Sequence, residues 1–142
     1  MISAEALDEL SSRIDTIEEA YEYMLAYASQ GLASDGDSDT GRQAREYLRR
    51  CDTALTSFGE FLTSFAERLG LEPAAAYRAF IAVIDRDARD AQAAVQLVLA
   101  QASISSQLVD NLNASIHLRA LLTDLFLIDD VLKTASQAQA QG

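Results

Sequence analysis

Residues 77–102 read YRAFIAVIDRDARDAQAAVQLVLAQA, with apolar side chains at Tyr77, Ile81, Ile84, Ala88, Ala91, Val95, Val98 and Ala102. The steps alternate between four and three. Their average of about 3.5 residues places these side chains along one side of a long helix. The same alternation recurs upstream, in Leu7, Leu10, Ile14, Ile17, Tyr21, Met24 and Ala28, and in Ala44, Leu48, Cys51, Leu55, Phe58, Leu62, Phe65 and Leu69. A further stripe, Leu118, Leu121, Leu125, Ile128 and Leu132, follows downstream. Helices striped in this way bury their apolar sides against one another, so the pattern predicts an all-α, antiparallel up-down-up-down four-helix bundle.

Local signals set the expected boundaries. Ser3 is the N-cap of a first helix over 3–30, closed by Gly31. The stretch GLASDGDSD forms the main loop, and Thr40 and Gln43 stand at capping-box spacing to open a second helix over 40–69, closed by Gly70. Pro73 lies in the first turn of a third helix over 73–103, where its missing donor costs nothing. Ser103, Ser105 and Ser106 compete for backbone hydrogen bonds and mark the turn into a fourth helix over 106–135. One domain over 1–135 and a flexible polar tail over 136–142 complete the expected organisation.

Composition narrows the function classes. The chain has 142 residues, one Pro and six Gly, and this scarcity of helix breakers suits long helices. Its net charge of −11 repels phosphate backbones and anionic lipid, so neither nucleic acid nor membrane is an expected partner. The opening residues lack the basic and apolar regions of a secretory signal, and a cytoplasmic location is expected. The single cysteine, Cys51, falls within an apolar stripe and reads as a buried, inert thiol.

Three places could carry chemistry. In the window from Asp35 to Glu46, the acids Asp35, Asp37, Asp39 and Glu46 occupy positions 1, 3, 5 and 12, which are among the ligand positions of an EF-hand calcium loop. Thr40 stands where that loop needs Gly, and Arg42 where it needs an apolar residue, so a plain acidic turn is the preferred reading. Arg42, Arg45, Arg49 and Arg50 form the one basic cluster. It is either an anion or partner patch or, as preferred, the ion-pairing counterpart of Glu18, Glu19 and Glu22 on the first helix. His117 is the only histidine, and Ala114 stands three residues before it, which departs from the Glu-x-x-His element of di-iron bundles. No cofactor and no catalytic residue is predicted.

The fourth helix departs from the pattern of the others. Beyond its stripe it carries Leu122, Phe126 and Leu127, apolar residues on further faces, so either this helix is central in its own chain or, as preferred, its outer face meets another chain. The expectation is a non-enzymatic, acidic, homodimeric adaptor, assembly factor or chaperone-like binder. A cofactor- or metal-carrying bundle enzyme and a calcium-responsive module are the alternatives.

Overall fold

The computed structural model describes residues 4–36 and 38–141. Within them 83% of residues are helical and no strand occurs. Six helices follow in order: α1 (Ala4–Ala28), α2 (Asp39–Leu55), α3 (Phe58–Leu69), α4 (Ala74–Leu99), α5 (Ser106–Ala114) and α6 (His117–Gln141). Helix α1 packs on α2, α5 and α6, while α4 packs on α2, α3, α5 and α6. The predicted N-cap, Ser3, lies outside the described residues.

The stripes are the core. Leu10, Ile14, Ile17 and Met24 of α1, Leu48 and Cys51 of α2, Phe58, Leu62 and Phe65 of α3, and Ile84, Ala88, Ala91 and Val95 of α4 are all buried. One correction falls on α1, where Ala6, Ala20 and Tyr27 are buried while Leu7, Tyr21 and Ala28 are only partly so. Helix α1 is flanked on more than one side, so its buried arc extends past a single line of positions.

Two expected helices are each interrupted. The segment over 40–69 breaks at Thr56 and Ser57, where Ser57 takes a left-handed φ of 54°. The Thr56 hydroxyl bonds back to the Asp52 carbonyl at 3.0 Å, competing with the helix ladder. Gln92 on α4 donates to that same carbonyl at 3.1 Å and to the Asp52 carboxylate at 2.9 Å, so the end of α2 is satisfied from across the interface. Beyond the break, Gly59 lets α3 press onto α4. A Cβ there would lie 2.6 Å from the Cβ of Asp85.

The segment over 106–135 breaks at Ser115 and Ile116. Ile116 has φ 62°, a conformation that costs a β-branched residue about 1–2 kcal/mol. The Ser115 hydroxyl caps α5 by donating to the Leu112 carbonyl at 2.6 Å, and the Ile116 carbonyl receives the first bond of α6. Helix α6 then continues to Gln141, past the expected end near 135. The turn at 103–106 is where the serines place it, with Ser105 capping α5 through a 3.0 Å bond from the Leu108 amide, although α4 stops earlier, at Leu99.

Candidate interaction surface

The acidic loop is built around a buried carboxylate. Asp35 is only 6% exposed. Its Oδ2 accepts from the Arg45 guanidinium, and its Oδ1 accepts from the Ile104 amide at 2.7 Å. Burial alone would raise the pKa of Asp35, but the bonds from Arg45 and Ile104 outweigh it and hold the group below its ordinary value. Arg45 also donates to the carbonyls of Gln101 (2.9 Å) and Ala102 (3.2 Å), just past the end of α4. These two side chains therefore tie the loop after α1 to the loop after α4.

Neighbouring bonds reinforce the tie. The Ser106 hydroxyl donates to the Tyr27 carbonyl at 2.7 Å and accepts from the Leu32 amide at 2.9 Å. The Tyr27 hydroxyl reaches the Ile104 carbonyl at 2.7 Å. Gly41 leaves room for the loop to close, because a Cβ there would lie 1.8 Å from the backbone oxygen of Asp35.

This geometry redistributes the residues singled out in the sequence. Of the calcium candidates, Asp35 is engaged as described, Asp39 pairs with Arg42, and Glu46 pairs with Arg50 at 3.2 Å. Asp37 lies outside the described residues. Among the described residues no group of three or more His, Cys, Asp or Glu converges as metal ligands. The basic cluster is likewise divided. Arg45 is a partly buried structural cation, Arg50 turns to Glu46 and lies 5.6 Å from the Tyr47 ring, and Arg49 is exposed. In place of the expected pairing with Glu18, Glu19 and Glu22 on α1, Arg42 and Arg50 pair within α2 and Arg45 with Asp35. Where α1 meets α2, the Tyr23 and Tyr47 rings stack at 4.5 Å. His117 is exposed at the start of α6. Cys51 is fully buried, and burial pushes its thiol up to about 12.

A feature missed in the sequence joins α4 to α6. The carboxyl of Asp124 lies beside that of Asp87, and its Oδ2 is buried without a hydrogen-bond donor. Burial first, then the neighbouring Asp87 carboxyl, raise Asp124 to about 7, so a proton shared between the two groups is favoured in mildly acidic solution. No sequence spacing signals this pair, since it depends on how two helices register. A cleft of about 720 Å³ opens between α3 and α4, with Glu60, Glu67, Asp85, Arg78 and Arg89 at its rim and Ile81 at its floor. Asp85 and Arg89 pair with each other at 3.1 Å.

The outer face of α6 groups three exposed apolar side chains, while Leu25, Val83, Leu97 and Ile116 are exposed elsewhere among the described residues. Phe126 is 47% exposed and Leu127 54%, and Val131 lies beside them at 39%. Leu122 corrects the sequence reading: at 4% exposure it belongs to the core of its own chain. Helix α6 is flanked by α1 and α4 together, so its buried arc is wide enough to include Leu122 beside the main stripe. Arg119, Thr123, Asp130, Lys133, Thr134 and Gln137 are exposed residues that share this face with Phe126 and Leu127. Comparison of the chain with protein-family models, with curated proteins and with solved structures returns no match.

Proposed function

We propose that the chain is a non-enzymatic, acidic helical module of the cytoplasm that acts by binding protein, and first of all a second copy of itself, through the outer face of α6. The observation that carries this reading is the exposure of Phe126, Leu127 and Val131 on a helix whose Leu118, Leu121, Leu122, Leu125, Ile128 and Leu132 are packed into the core. Adaptor or assembly roles fit such a surface. The reduced, buried Cys51 suits a reducing compartment.

We also read the six helices as four legs of an antiparallel bundle. Helix α1 is one leg, α2 with α3 the second, α4 the third, and α5 with α6 the fourth. The packing supports this, because each leg contacts the next and the fourth returns to the first.

Sedimentation across a concentration series, together with circular dichroism, tests the association. Wild type should shift from monomer to dimer as concentration rises. Phe126→Glu should stay monomeric with its helicity intact, because each dimer would bury two unpaired charges. A wild type that is monomeric throughout contradicts the reading.

A further inference from the structure

We infer that two copies associate with their α6 helices antiparallel, Arg119 of each beside Asp130 of the other. This rests on the self-association proposed above and adds its register. Exposed residues along the outward line of α6 are Arg119, Thr123, Phe126, Asp130, Lys133 and Gln137, separated by steps of four, three, four, three and four. That is the spacing of a helix-pairing seam, with Leu127 flanking it. Arg119 and Asp130 are the oppositely charged members that flank Thr123 and Phe126, and Lys133 beyond them is held by Asp129 of its own helix.

Charge decides both the occupant and its direction. The chain carries −11, so two copies repel over most of their surfaces. On the outward line Arg119 and Asp130 cancel and Lys133 is neutralised by Asp129, so this is a face on which two copies can meet without that cost. A parallel pairing would set Arg119 against Arg119 and Asp130 against Asp130. Reversing one copy turns both like-charge encounters into ion pairs.

Residues 119 and 130 share a midpoint with residues 123 and 126. The same register therefore lays Phe126 of each copy over Thr123 of the other at the centre, between two ion pairs roughly 16 Å apart along the helix. Arg119 makes no ion pair of its own among the described residues, so it is available for this one. Asp130 lies one turn from Lys133, which is already bonded to Asp129 at 2.8 Å. With two large apolar side chains contributed by each copy, the dimer is a weak and concentration-dependent one.

Charge reversal measured by sedimentation equilibrium is the test. Arg119→Glu alone and Asp130→Arg alone each replace two attractions by two repulsions, and each should weaken the dimer roughly tenfold. The double variant, Arg119→Glu with Asp130→Arg, restores opposite charges and should return the affinity to within about threefold of wild type. Circular dichroism confirms that each variant is folded, as expected for exposed positions. A double variant no tighter than the singles, or singles that bind like wild type, would overturn the register while Phe126→Glu still reports on the face itself. If Phe126→Glu leaves the dimer unchanged, the face is wrong, and the register with it.

Discussion

The molecule handles its chain reversals and its helix breaks in different ways. Where the loops after α1 and α4 meet, polar side chains take over the lost backbone bonds: Asp35, Arg45, Ser106 and Tyr27 each hold a partner far away in sequence. At the Ser115–Ile116 break, the Ser115 hydroxyl caps its own helix, and Ile116 remains left-handed and 59% exposed. Several independent contacts fix the first region, whereas the second accepts local strain. The break at Thr56–Ser57 lies between the two, since Gln92 supplies the missing donor from α4. Rigidity in this fold follows polar satisfaction as much as apolar burial, and α6, which carries the uncovered face, begins at the least supported joint.

The sharpest way to break the comparison is to disrupt the tie between the loops. Removing one member of a buried ion pair leaves its partner's charge uncompensated, so Arg45→Ala should cost about 3–5 kcal/mol in urea unfolding. Arg45→Lys should recover little of it, because the fork that reaches Asp35 and two carbonyls is lost. A loss below about 1 kcal/mol would mean the tie is ornamental. Asp35 adds a pH signature. Its folded-state pKa is depressed, so its contribution is present above the unfolded-state pKa and disappears as pH falls through the folded-state value. Acid unfolding should therefore be shallower in Asp35→Asn than in wild type.

Gly41→Ala probes the same region with a smaller expected effect. Its methyl collides with the backbone of Asp35, and overpacking of this kind costs roughly 1–3 kcal/mol. At the other pole, Ile116→Asn should stabilise the chain by about 1 kcal/mol, because Asn tolerates the left-handed conformation that Ile resists. Thermal unfolding checks both, and a stabilised Gly41→Ala would reverse the assignment of the two regions.

The smallest effect belongs to the carboxyl pair. Asp124 has a raised folded-state pKa of about 7, so the folded chain holds a proton that the unfolded chain releases. Stability from this pair is present below the unfolded-state value and is lost as pH rises towards 7. Asp124→Asn should flatten that decline and stabilise the chain at pH 8, by less than about 1 kcal/mol in a partly exposed site where solvent screens the pair. A variant with the same decline as wild type would place its origin elsewhere.

Much of the architecture was legible because apolar spacing reports directly on helix faces. The stripes at Leu48–Phe65 and Ile81–Val98 are the observed core, and the serines at 103–106 mark a real turn. The break at Thr56–Ser57 left no trace, since Leu55 and Phe58 keep the three-residue step across it. Ile116 gave no warning either, because β-branched residues do not signal a left-handed joint. Asp35 looked like a solvated loop acid, although Arg45, next to Ala44 on the edge of an apolar stripe, called for a buried counterion. The arrangement of Asp87 with Asp124, and the burial of Leu122, depend on which helices flank α6, which spacing within one helix does not encode.

The most direct measurement of the central contrast is methyl and aromatic NMR on wild-type protein during dilution. Resonances of Phe126 and Leu127 should move with concentration along a binding curve, while those of Ile104 and Val109, buried beside the loop tie or within α5, should stay fixed. Fixed Phe126 and Leu127 signals, or movement at Ile104 in their place, would contradict the assignment of the outer face of α6 as the binding surface.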